Sequence, residues 1–245
     1  YDAIVDADQG EGVAVLFGNY AGDNMNVKMA VQMAEDDDIE VKYVVANDDV
    51  ASAPKAVKEQ RHGIAGGFFM WKVGGARAAK GGSLDDVIAS AQNVVNRTKS
   101  ICVGLEPCVI PALGHSNFKI EDGTMEFGVG HHGEAGTKVE KLKSASEMAQ
   151  EMAETILNDF DFEEGKEVAV MLSGLGATPV MELYVLYDEV EKVLAKAGHK
   201  VWKTYIGNYV TSLDMNGASL TIVDLDDEIK ELLSEPAVPI GMKNY

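Results

Sequence analysis

Cysteine is nearly missing: Cys102 and Cys108 are the two in 245 residues, and both sit in an apolar stretch. Neither a disulfide framework nor a cysteine-based zinc pattern can be built from them, so buried thiols of a cytoplasmic protein are expected. Basic residues are scarce as well. Against 40 Asp and Glu stand 21 Lys and Arg, a formal net charge of -19. Nucleic-acid phosphates and acidic membrane surfaces both demand clustered cations, so neither is an expected partner. No apolar run approaches the roughly eighteen residues that a membrane span requires. A basic-then-apolar leader is absent too, and Tyr1 stands where a start methionine would, so a processed or partial chain is expected.

What is present suits an ordinary globular core: 46% of the residues are hydrophobic and 25% charged. Strand-like runs alternate with segments of helical period. "GVAVLFG" at 12–18 and "IEVKYVVAN" at 39–47 read as strands around a helix, "NMNVKMAVQMAE" at 24–35. Residues 66–82 and 83–98 read as helices, the second opening on a Ser83 cap with Asp85 and Asp86 in its first turn. Between 101 and 135 the helical period gives way to short strands and loops. A helix is expected at 144–159, where Ser144 and Glu147 have capping-box spacing. "KEVAVMLSGLG" then reads as a strand, followed by a helix from Pro179 to Gly198, two more strands and a short helix "DDEIKELLSE". The alternation implies an α/β fold of two α/β domains, each a mixed or largely parallel sheet covered by helices. The boundary is placed near residue 100, giving 1–100 and 101–245.

Ligands of α/β sheets gather where strands run out into loops. Four glycine-bearing exits qualify: 18–24, 128–136, 173–179 and 207–217. The second, "GVGHHGEAG", sets His131 and His132 among four glycines. It reads either as a surface turn or as a place where a small molecule comes close to an imidazole. Adjacent side chains leaving a strand point to opposite sides, so at most one of the two should reach a given pocket. Asp23 reads as a helix N-cap or as a general base, and its carboxylate has acceptor sites for both. "SGLGATP" lacks the lysine of a phosphate loop and reads as a tight turn. His62 and His199 read as surface residues, His115 as an ambiguous loop residue. No metal site can be assembled.

Together, "GNYAGDNMN", "GVGHHGEAG", "LSGLGATPVMELYVLYDEV" and "IGNYVTSLDMNGASLTIV" resemble the substrate-binding subunits of dihydroxyacetone kinases, in order and along the whole chain. The resemblance implies paired α/β domains, a homodimer, and a short-chain ketose as substrate. That family's signature Gly-x-Gly-Ile-His-Gly-Glu-Pro-Gly carries a histidine that binds the ketone carbon as a covalent hemiaminal. Laid on this chain, that histidine is His132, Asp23 assists the hydroxyl being phosphorylated, and Gly22, Gly130 and Gly133 fall in the substrate-binding stretches. His131 stands where isoleucine is usual, Ala135 where proline is common, and Ser173 and Gly174 replace an Asn-Asn pair. A polar ring at 131 is placed to tune substrate choice, and a four-carbon ketose such as erythrulose stays open. The family's upstream Gly-His-Glu loop, with a second histidine, is not found here, and no nucleotide-binding domain follows Tyr245. The resemblance therefore implies no cofactor on this chain. ADP or ATP with magnesium would be held by a partner kinase subunit, often recharged by a phosphotransferase-system phosphoprotein. A second reading within the family is a non-catalytic, ketose-binding co-regulator of transcription.

Overall fold

The computed structural model describes residues 1–116, 118–161 and 165–239; Tyr245 lies outside them. The chain begins with a short helix α1 (Asp2–Ala7), which no cap or period announces, and enters β1 (Val13–Gly18), α2 (Ala21–Asp36) and β2 (Val41–Ala46). β1 and β2 pair in parallel, Val13 opposite Val41, as a strand-helix-strand unit requires. Val31 and Ala34 of α2 pack on Val13 and Val41. A 3-10 turn (Lys55–Gln60) leads to the helix pair α3 (Gly67–Ala79) and α4 (Leu84–Asn96). Ser83 caps α4 in a reciprocal box with Asp86, one of the two acidic residues expected in its first turn.

The remainder builds a six-stranded sheet. Its strands are β3 (Thr98–Glu106), β4 (Thr124–Phe127), β5 (Lys138–Lys141), β6 (Glu167–Gly174), β7 (Lys200–Gly207) and β8 (Asn216–Asp224), in the order β5-β4-β3-β8-β6-β7. β6 and β7 run parallel and the other neighbours antiparallel, so the sheet is mixed. Its helices are α5 (Ala145–Asp159), boxed by Ser144 and Glu147, α6 (Val180–Lys196) and α7 (Asp227–Ser234). β5 escapes a reading by pattern because "KVEK" is short and charged, which suits a strand at a sheet edge.

Strand alternation sorts the core into two layers. Val168, Val170 and Leu172 of β6 face α5 and α6, with Met152, Ile156, Leu183 and Val190 opposite. The intervening Ala169 and Met171 face the other way, toward Phe69 and Val73 of α3 and Ile229 and Leu232 of α7. That second cluster also takes in Val44 and Ala46 of β2, so α3 and α4 lie between the two sheets and residues on both sides of position 100 share one core. No helix among the described residues is long and apolar enough to cross a membrane.

One buried ion pair ties the β2–α3 connection to the end of α5. Arg61 is 1% exposed, and its Nη1 and Nη2 each donate to Asp159 at the end of α5 at 2.7 Å, while Nε donates to the Ala53 carbonyl at 2.8 Å. Removing one partner of such a pair strands the other charge out of water. Arg61→Met is therefore expected to lower unfolding stability by about 3 kcal/mol in urea titrations, whereas the double variant Arg61→Met, Asp159→Leu recovers much of that loss. Equal losses in the two variants would contradict this assignment.

Candidate functional site

Three loops converge on the end of β1. The first is the exit from β1 itself. Residue Tyr20 takes the N-cap position of α2 in extended conformation, with no side-chain cap bond. The helix thus starts at Ala21, three residues before the apolar period, because Ala, Gly and Asp in its first turn carry no apolar signal. Asp23 lies inside that turn and is not the cap, which corrects the N-cap reading. Asn19 Nδ2 donates to the carbonyls of Arg61 at 2.6 Å and Glu59 at 3.1 Å, binding this exit to the second loop.

The second loop, residues 61–67, is shaped by a carboxylate that sequence reasoning passed over. Asp48, 2% exposed at the end of β2, accepts hydrogen bonds from Ile64 N at 3.0 Å and Gly66 N at 2.7 Å. Such contacts satisfy amides at the start of α3, which otherwise have no partner within the helix. Gly63 is required here: a Cβ would run into the Ala46 carbonyl oxygen. Asp49, which follows Asp48 and is also buried, accepts from Ala51 N at 3.0 Å. Burial, aided by the charge of Asp48, pushes the Asp49 carboxyl up to about 7. The one available signal was the acid pair of "NDDV" directly after a strand.

The third loop carries the histidines. Gly130 N donates to the Glu134 carbonyl at 2.9 Å, and His132 N donates to Glu134 Oε2 at 2.9 Å, closing a tight turn in which Gly133 has φ of 78°. L-residues with side chains rarely take that conformation. Ser212 Oγ, from the segment 207–217, donates to the His131 carbonyl. Because 130–134 is a turn, the alternation of a strand does not apply. Both His131 and His132 line one cavity, contrary to the expectation that at most one would.

This cavity, about 170 Å³, is lined by Tyr20, Asp23, Ile64, Trp71, Val210 and both histidines, with three glycines in its wall. The Tyr20 ring is its centrepiece. It meets His132 edge-on at 4.4 Å between centroids and stacks on His62 at 4.7 Å. His62 is therefore half-buried beside the site and not the surface residue its polar neighbours suggested. His115 remains in an exposed loop, its ring bonded to the Ser116 carbonyl. "SGLGATP" turns out to brace the site from behind: Ser173 Oγ accepts from Tyr209 N and Val210 N, each at 3.0 Å, and Val210 is in the cavity wall. Of the glycines singled out, Gly130 and Gly133 form the histidine turn, and Gly22 lies one residue before Asp23 in the first turn of α2.

Electrostatically the two imidazoles differ. The side chain of His132 is 64% exposed, with Nδ1 3.4 Å from Glu134 Oε1. Burial opposes the charge on Glu134, but the amides of Glu134 and His132 and the nearby imidazoles outweigh it and hold the carboxyl below its usual range. For His131, burial, with His132 adding, pushes the ring down to about 4. Its Nε2 is buried with no hydrogen-bond partner among the described residues, as is the Tyr20 hydroxyl, whose ionisation burial pushes upward. A larger cavity of about 640 Å³ adjoins through Trp71, but its Lys72 ammonium is engaged by the carbonyls of Leu232 and Glu235 at 3.0 and 2.7 Å. His132 and Asp23 both line the smaller one. Among the described residues no cluster of His, Cys, Asp and Glu could hold a metal ion.

An α/β protein with an imidazole and a carboxylate lining one small cavity at its strand exits is the class so defined. Comparison with known proteins narrows it. The Dak1 domain family matches residues 1–240, and the chain belongs to that family. The dihydroxyacetone-binding subunit of a PTS-dependent dihydroxyacetone kinase from Listeria innocua serovar 6a is 41% identical over 228 residues, covering 93% of this chain and 69% of that subunit. A D-erythrulose kinase from Mycolicibacterium smegmatis is 38% identical over 226 residues, 92% of this chain and 39% of that enzyme. Among solved structures, a dihydroxyacetone kinase operon co-activator superposes with a TM-score of 0.90 at 29% identity, over 96% of this chain and 73% of that one.

The depressed basicity of His131 has a consequence for stability. Between pH 6.5 and about 4 the unfolded chain binds a proton that the folded ring refuses, so this residue's contribution falls as pH falls through that window. Urea titrations from pH 7 to pH 4 are expected to show His131→Leu gaining on the parent as the solution is acidified. A constant gap across the window would contradict the buried, neutral ring.

Proposed function

We propose that this chain holds a short-chain ketose as a covalent hemiaminal on His132 and presents its terminal hydroxyl for phosphorylation. The observation that carries this reading is the meeting of His132 and Asp23, from separate elements, in one small cavity. Glu134 Oε1 beside Nδ1 favours the proton on that nitrogen and leaves the Nε2 lone pair to attack. As the C–N bond forms, the carbonyl π bond opens. The ring's N–H proton leaves through Glu134 or water and a proton is taken up on the former ketone oxygen, so the adduct is an addition with nothing released. A three- or four-carbon ligand offers little surface for binding, and a covalent tether supplies the hold that contacts cannot. Glycerol, with no carbonyl carbon, cannot form it.

Once tethered, the substrate is oriented, and orientation is most of what phosphoryl transfer asks of a protein. Asp23, open to solvent at the cavity rim, takes the proton of the terminal hydroxyl as that oxygen attacks phosphorus. ADP, recharged to ATP, or ATP itself, with magnesium, is held by a partner kinase subunit in this reading, which also takes the chain to be a cytoplasmic homodimer. The relatives support it, since the Listeria innocua protein is named as the dihydroxyacetone-binding subunit of such a kinase. The similarity to an operon co-activator favours a second role, in which the same adduct serves as a signal. Phosphorylation of dihydroxyacetone on mixing with a nucleotide-binding kinase subunit separates the two, because a sensor needs the tether but not the base.

Intact-mass measurement with dihydroxyacetone is expected to show one added ketose on the parent and none on His132→Ala, with the fold unchanged. Asp23→Asn is expected to keep the adduct while transfer slows by about 10²–10⁴-fold. Loss of the adduct in Asp23→Asn would recast Asp23 as a purely structural residue of the α2 terminus.

A further inference from the structure

Every polar side chain in the wall of the 170 Å³ cavity can be assigned a task except two. His132 and Asp23 carry the chemistry proposed above. The Trp71 indole Nε1 is engaged, donating to the Leu16 carbonyl at 3.0 Å. The glycines bring backbone alone, and Ile64 and Val210 are apolar. There remain Tyr20 and His131, and each has a buried polar atom, Oη and Nε2, without a hydrogen-bond partner among the described residues. Buried polar groups are costly to leave unpaired, and a site that keeps two of them beside its nucleophile is built to pair them with something.

We propose that His131, assisted by Tyr20, is the specificity-determining residue of this site, reading a hydroxyl on the arm of the ketose that is not phosphorylated. The inference rests on the hemiaminal reading and deepens it by naming the substrate class: a hydroxylated ketose with an arm longer than that of dihydroxyacetone. The geometry is favourable. The two imidazoles are consecutive in a turn pinned by Ser212 and Glu134, so a ligand bonded to one lies against the other. Burial keeps the His131 ring neutral, able to donate or accept depending on its tautomer. An isoleucine at this position would fill the same wall but leave such a hydroxyl unpaired. A site that hydrogen-bonds a hydroxyl discriminates far better than one that only accommodates it.

The test is the affinity of the protein for dihydroxyacetone and for erythrulose, each followed by calorimetry and by intact mass, in the parent, His131→Ile and Tyr20→Phe. The parent is expected to prefer erythrulose. His131→Ile should weaken erythrulose about tenfold or more while changing dihydroxyacetone by less than about threefold, with the adduct on His132 still forming. Tyr20→Phe should shift the ratio in the same direction. Adduct formation with an unchanged ratio, or equal weakening for both ketoses, overturns the role of His131 alone. Absence of any His132-dependent adduct in the parent overturns the hemiaminal reading and this inference with it.

Discussion

The turn from Gly130 to Glu134 decides where both imidazoles go. Glu134 holds it from two sides, its carbonyl taking the Gly130 amide and its carboxylate the His132 amide. Ser212 fixes the carbonyl between the two rings from the opposite segment. A single residue thereby does three things: it closes the loop, its carboxylate stands beside His132 Nδ1, and that carboxylate stays ionised below the usual range because the amides of Glu134 and His132 favour the anion. Loosening this turn would displace His132 and its neighbour together.

The rest of the fold aims other parts at that turn. β1 and α2 bring Tyr20 and Asp23, and Asn19 straps their junction to the loop after the 3-10 turn. Asp48 organises the start of α3, and with it Ile64 and two wall glycines, from a position fully removed from water. Burial raises its carboxyl, while the Ile64 and Gly66 amides favour the charged form. Arg61 and Asp159 anchor the same connection to the end of α5. A cavity built this way from backbone amides and glycines places ligand and main chain within contact distance, and leaves specificity to a few side chains.

Much of this was legible in the residues. The Ser83 cap, the capping box at Ser144, the helix after Pro179, and the buried strands β6 and β8 all follow local rules that tertiary contacts did not override. The first turn of α2 was hidden because its residues are small and polar, and the edge strand β5 because charge masks a strand pattern. His132 and Asp23 stood out through their glycine surroundings. Tyr20, Asp48 and His62 did not, since what matters about them is non-local: a ring held between two imidazoles, and a carboxylate bonded to amides sixteen and more residues away. Strand alternation misjudged the histidine pair because it was applied past the point where the strand becomes a turn.

The central claim is that a ketone carbon becomes tetrahedral on binding at His132. Carbon-13 NMR of dihydroxyacetone labelled at its ketone carbon, recorded on the protein, reads that change at the atom concerned. The account predicts that the bound signal leaves the carbonyl region for that of a carbon bonded to nitrogen and oxygen, and does so only when His132 is present. A bound ligand whose labelled carbon keeps its carbonyl shift would contradict it.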